Sequence, residues 1–173
     1  GLSLLGHDVY FFEDSDDYAG CYDPQTGITG SDPGYGLRFA EHCFKMAQLP
    51  DRWAYYDAHT SRWLGPCAAN IVGICEHADV LLNISGVNPI RPWFGDIPIR
   101  ALIDTDPAFT QIRHLEDPSA RQLALKHNVF FSFAENFGKE GCVVPDDGLP
   151  WQATRQPVIL QAWPVVPAPE DGN

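Results

Sequence analysis

Basic residues are scarce in this chain: 11 Lys and Arg stand against 23 Asp and Glu, giving a net charge of −12. Such a balance repels a phosphate backbone and argues against non-specific nucleic-acid binding, although it leaves room for a local basic pocket. Long apolar runs are also missing. None approaches the roughly 18 to 20 residues that cross a bilayer, so no transmembrane segment is expected. No basic stretch followed by an apolar core and a cleavage site reads as an export signal. The five cysteines are odd in number, scattered, and never spaced C-x-x-C. They suggest neither a zinc site nor a disulfide framework, and buried reduced thiols fit a cytoplasmic setting. No G-x-S-x-G elbow, P-loop or complete G-x-G-x-x-G occurs; Gly34-Tyr35-Gly36 is a fragment that follows a loop and not a strand. No cofactor site of those types is therefore encoded.

What the chain does have is apolar mass. It is 45% hydrophobic, with 10 Phe, 6 Tyr and 5 Trp among 173 residues. That is enough for one well-buried domain. Leu2, Leu4 and Leu5 before Gly6 read as the last turn of a helix, followed at once by the apolar strand Val9-Tyr10-Phe11-Phe12. A helix tail running into a strand predicts that the first strand of a βαβ unit is missing upstream. Residues 14–35 read as a long loop. Leu37, Ala40, Cys43, Phe44 and Ala47 recur at helical spacing over 36–48, and 51–56 reads as a short strand. Pro66 opens a helix with Ile71, Val72 and Cys75 inward.

Further strands are expected over 80–86, 97–104 and 129–133, with a last short one at 157–160. A helix capped by Asp117 and Pro118 turns Ala120, Leu123 and Ala124 inward. Strands alternating with helices predict an α/β fold, a Rossmann-like three-layer sandwich with a mostly parallel sheet. The domain is expected over residues 1–163, with 164–173 an extended tail or the start of an interdomain linker.

Ligands of open parallel sheets bind beyond the carboxyl ends of the strands. Four strands end in polar groups: Glu13 and Asp14; Asn83, Ser85 and Gly86; Asp104, Thr105 and Asp106; Glu135 and Asn136. Together they form a candidate rim for a hydroxyl-rich ligand. Thr110 and Gln111 lead from that rim toward His114, and Arg155, near Trp151, has two readings: a ligand clamp, or a structural role covering the last sheet edge or facing a neighbouring domain. The pair Asp104 and Asp106 has three readings: backbone acceptor and helix cap, divalent-metal ligand, or direct ligand contact. The histidines read as structural or solvated.

Several stretches carry a resemblance. Gly1-Leu2 with Leu5-Gly6-His7-Asp8-Val9-Tyr10-Phe11 is similar to the start of the N-terminal domain of GT-B-fold glycosyltransferases. Arg52-Trp53-Ala54-Tyr55, residues 78–86, residues 103–111 and Thr154-Arg155-Gln156-Pro157 together resemble a bacterial group of uncharacterised glycosyltransferase-like proteins. The resemblance covers about residues 1 to 163. It implies the acceptor-side half of a sugar-transfer protein, inactive alone, whose full-length parent takes a nucleotide-sugar donor and a hydroxyl acceptor and supplies a C-terminal domain absent here. Inverting transfer needs a base near the acceptor hydroxyl; Asp104 and Asp106 stand first by position, then Glu135. The resemblance calls for no metal and no cofactor. The alternatives are a non-catalytic module for a small polar ligand and a metal-dependent enzyme built on Asp104 and Asp106. An apolar face left by missing elements predicts self-association.

Overall fold

Backbone pairing divides the strands into three groups. The computed structural model describes residues 1–168. Strand β1 (Phe11–Asp14) lies parallel to β4 (Trp53–Asp57), in register from Phe11 opposite Trp53 to Asp14 opposite Tyr56. β5 (Arg62–Leu64) returns antiparallel along β4. Asp57 builds the turn between them, accepting from Thr60 Oγ1 at 2.6 Å and from the His59 N–H at 3.1 Å. Gly65 closes the hairpin at φ +97°, and a Cβ there would sit 2.9 Å from the Trp53 ring. Only glycine meets both demands.

β2 (Cys21–Asp23) and β3 (Ile28–Gly30) pair as a separate antiparallel hairpin. β6 (Val80–Ile84), β7 (Ile99–Asp104), β8 (Val129–Ser132) and β9 (Gln152–Ala153) form a four-stranded sheet in that order, parallel throughout. The architecture is mixed α/β, with a parallel sheet at its centre.

Four α-helices cover these strands. α1 (Gly34–Met46) lays Phe44 against Phe11 at 5.3 Å and Trp53 at 6.0 Å between ring centroids. α2 (Ile71–His77) lies on the opposite face, where Ile71 and Cys75 pack with Ala54, Phe94 and Ile97. Phe12 from β1 and Leu81 from β6 join this one cluster, so both sheets turn a face to the same core. Burying a side chain such as Ile71 contributes about 1.5–3 kcal/mol. α3 (Phe109–Glu116) and α4 (Pro118–Ala124) cover β7 and β8, with Leu102, Ala124, Phe130, Leu149 and Trp151 as a second core. Asp117 caps α4, accepting from the Ser119 N–H at 2.8 Å, as its Asp-Pro sequence predicts.

Several expectations are corrected. β1 starts at Phe11, two residues later than the apolar run, because Val9 and Tyr10 have no ladder partner. The 14–35 segment holds the β2–β3 hairpin, whose short strands have no buried residue and carry no apolar alternation. Val72 is 63% and Leu123 50% exposed, since α2 and α4 each run only two turns and bury a narrower stripe. No strand forms at 157–160; the last strand among the described residues is β9, and Leu160–Ala162 is a 3₁₀ turn. Residues 164–168 have no regular structure, while the rest of the expected tail, 169–173, lies outside the described residues. Among the described residues no helix is long and apolar enough to cross a membrane. All five cysteines are free thiols, and burial pushes Cys75 up to about 11.

Candidate functional site

Alternation along β1 and β4 sends Phe11, Glu13, Trp53 and Tyr55 toward α1. α1 meets Phe11 and Trp53 through Phe44 but does not close down over Glu13 and Tyr55. A cleft of about 450 Å³ opens between helix and sheet, walled by Phe11, Leu37, Phe44 and Trp53 and bordered by Tyr18 and Cys21. Its size suits a single-ring ligand. Glu13 and Tyr55, register partners on adjacent strands, are among its polar lining groups. The Tyr55 hydroxyl meets Cys21 Sγ at 3.5 Å. Burial, and then the Cys21 thiol, raise the Tyr55 phenol, which stays protonated and able to donate. Glu13 keeps part of its side chain in water at the cleft mouth, yet the walls remove enough hydration to raise its carboxyl above the ordinary range. A carboxyl of raised proton affinity beside a neutral hydroxyl can accept and return a proton.

Asp14, the next residue, points to the other face and anchors the strand end. Arg91 holds it with two hydrogen bonds of 2.9 Å, Nε to Oδ2 and Nη2 to Oδ1, and also lies over the Tyr56 ring at 5.4 Å. The bond to Asp14 raises the Arg91 guanidinium, which remains a fixed cation.

The polar ends of the other strands do not converge with this cleft. Asp104 is 1% exposed, and both of its oxygens are occupied. Oδ1 accepts from Thr110 Oγ1 at 2.7 Å and the Asp106 N–H at 3.0 Å; Oδ2 accepts from Ser132 Oγ at 2.7 Å and Gln111 Nε2 at 3.0 Å. Gln111 also accepts from the Ala108 N–H at 2.7 Å, pinning α3 to the end of β7. Thr110, Gln111 and Asp104 thus form one internal brace. Asp106 is exposed, and its backbone carbonyl accepts from the Thr110 N–H. Among the described residues no group of three or more His, Cys, Asp or Glu could hold a metal ion.

Asn83 is buried, donating through Nδ2 to the Asn88 carbonyl at 2.8 Å and to His127 Nε2 at 3.0 Å. His127 Nδ1 donates to the Ala124 carbonyl at 2.9 Å, so the neutral ring is held by both nitrogens, and burial lowers its proton affinity. Ser85, at φ 58°, meets the Thr105 hydroxyl, and Gly86 turns the chain at φ 64°. Glu135 and Asn136 border a second, shallower cleft of about 470 Å³ with Pro107, Lys139 and Cys142. Arg155 pairs there with Glu135, and the guanidinium lowers the Glu135 carboxyl while both stay largely in solvent.

His114 makes a further buried pair that sequence reading left among the structural histidines. Its Nδ1 meets Asp147 Oδ2 at 2.7 Å, while Asp147 Oδ1 accepts from Trp151 Nε1 at 2.9 Å. Trp151 therefore ties the second core together.

The rim is thus divided. Glu13 lies in the cleft under α1, Glu135 and Asn136 border the second cleft with Arg155 paired to Glu135, Asn83, Asp104 and Gln111 are buried, and Thr110 is half-buried beside Asp104. Sequence reading missed Tyr55 and Cys21. Tyr55 was legible only through its place two residues after Trp53 in a strand, and nothing local marks Cys21. Comparison with protein-family models, curated proteins and solved structures finds no match to this chain.

Proposed function

We propose that this chain is the acceptor-side half of a protein that transfers a sugar from a nucleotide-sugar donor to a hydroxyl acceptor, and that the cleft beneath α1 receives the acceptor. One observation carries the reading: Glu13, with raised proton affinity, stands in register beside the Tyr55 hydroxyl in a cleft of about 450 Å³ walled by Phe11, Leu37, Phe44 and Trp53. The reading takes the architecture as a Rossmann-like sandwich, in which the carboxyl ends of parallel strands face ligand. Tyr55 donates a hydrogen bond that orients the acceptor oxygen. Glu13, ionised, takes the acceptor's proton as that oxygen bonds to the anomeric carbon. The bond from that carbon to the diphosphate oxygen breaks, and the nucleoside diphosphate leaves with the electron pair. A carboxyl raised toward neutrality is a stronger base than an ordinary one. The donor's diphosphate is held by the domain that completes the parent protein.

The test has two parts. Titrating the 173-residue chain with p-nitrophenol, as a ring-sized hydroxyl probe, should give saturable NMR shifts at Glu13, Leu37 and Tyr55. Leu37→Trp should abolish them by filling the cleft. Shifts confined to residues 135–144, or no saturation, would overturn the assignment. In the full-length protein with UDP-glucose and p-nitrophenol, Glu13→Gln should lower kcat by about 10²–10⁴-fold while changing KM little.

A second reading, a non-catalytic module for a small ligand, is favoured by the Asp104 brace, whose four hydrogen bonds leave that carboxylate no role toward a ligand. Under it, p-nitrophenol binds the chain and the full-length protein turns over no donor.

A further inference from the structure

The free edges of β1 and β6 face one another, and each lacks a strand. β1 bonds β4 through odd-numbered residues: the Phe11 N–H reaches the Arg52 carbonyl at 2.8 Å and the Ser15 N–H the Tyr56 carbonyl at 3.0 Å. The peptide groups of Tyr10, Phe12 and Asp14 therefore point away from β4. On that side a single side chain stands in for a strand. Asn88 accepts from the Asp14 N–H at 2.9 Å and donates to the Phe12 carbonyl at 3.2 Å, the pair of bonds a neighbouring peptide would make. β6 is likewise bonded to β7 through odd-numbered residues, the Ser85 N–H reaching the Ile103 carbonyl at 2.8 Å. Its Val80 and Leu82 peptide edge has no ladder partner among the described residues.

The two edges run in the same direction. Asn88, four residues beyond the end of β6, is bonded both to the carboxyl end of β1 and to Asn83 of β6. Phe12 and Leu81 turn to the same core under α2. The parallel strands of the two sheets thus run the same way on either side of an interval.

Handedness then places what the interval lacks. The connection from β1 through α1 to β4 sets α1 on the Phe11 face. A right-handed crossover from a strand in the interval to β1 sets its helix on that same face. There the structure is bare: Val80 is 46%, Leu82 42% and Ile84 50% exposed. Residues 2–7 also form a Schellman motif, the helix-ending arrangement. Gly6 sits at φ 89°, its N–H bonds the Ser3 carbonyl at 3.0 Å, and the His7 N–H bonds the Leu2 carbonyl at 3.3 Å.

We propose that the interval between β1 and β6 is a slot for one apolar strand, parallel to both, carried by a strand–helix unit of the same polypeptide that enters at Leu2. The helix of that unit covers Val80, Leu82 and Ile84. Insertion also makes the slot the point where strand order reverses, because α1 lies on one face and α2, α3 and α4 on the other.

Hydrogen exchange tests this on two proteins, the 173-residue chain and the full-length protein as its gene encodes it. In the chain, the Phe12 and Leu82 amides should exchange close to the unprotected rate. In the full-length protein they should slow by about 100-fold or more, together with a new apolar strand ahead of Leu2. A reading frame without a strand–helix unit ahead of Leu2 would overturn the proposal, as would full-length protein that leaves both amides unprotected. Protection that appears only with concentration-dependent dimerisation would assign the slot to a second copy, and would overturn it equally.

Discussion

Replacing Asp104 by alanine separates a brace from a catalytic base. The substitution removes the acceptor for four donors at once: Thr110 Oγ1, Gln111 Nε2, Ser132 Oγ and the Asp106 N–H. Gln111 and Ser132 are completely buried, so water cannot readily replace the carboxylate at their donors. Each buried donor left unpaired costs about 1–3 kcal/mol. Thr110 and the Asp106 amide are nearer solvent and lose less. The total is about 3–5 kcal/mol, set against about 5–15 kcal/mol for a whole domain. With a urea slope of about 2 kcal/mol per molar, the midpoint should fall by about 1.5–2.5 M. Asp104→Asn, which keeps one acceptor oxygen, should cost roughly half as much. A midpoint shift below about 0.5 M for Asp104→Ala would refute the reasoning. Lost transfer by a full-length variant of unchanged stability would return Asp104 to catalysis.

Other expectations follow from the same geometry. Glu13 has a raised carboxyl, so the folded state binds its proton more tightly than the unfolded chain; this contribution is present at low pH and is lost as pH rises from the ordinary glutamate value through the raised one. Glu13→Gln should flatten that part of the stability–pH curve, and an unchanged curve would count against the partial loss of hydration at the cleft mouth. His127 is lowered, so its contribution is full above about pH 6.5 and is lost as pH falls through the folded value; its ring proton should titrate below free histidine by NMR, and titration at or above that value would contradict the Asn83 contact. Gly65→Ala, pressed against Trp53 at φ +97°, should destabilise by about 1–3 kcal/mol, seen as a lower Tm. The 173-residue chain should self-associate in light scattering through Val80, Leu82 and Ile84, and the triple Thr variant should do so less; a clean monomer at high concentration would argue against an adhesive face.

The sequence on its own determined the elements with strong local signals. Continuous apolar runs announced β6, β7 and β8, helical spacing announced α1, and Asp117-Pro118 announced α4, because each signal is local and physical. It also marked Glu13 and Asp104 as polar strand ends. Only the tertiary structure decided their different fates. Glu13 opens into a cleft because α1 stands off the sheet above it, while Asp104 is sealed because Gln111 and Ser132 arrive from a helix and a neighbouring strand. The β2–β3 hairpin, the Tyr55–Cys21 contact and the interval between β1 and β6 depend on residues distant in the chain, and no local pattern of side chains encodes which edges meet.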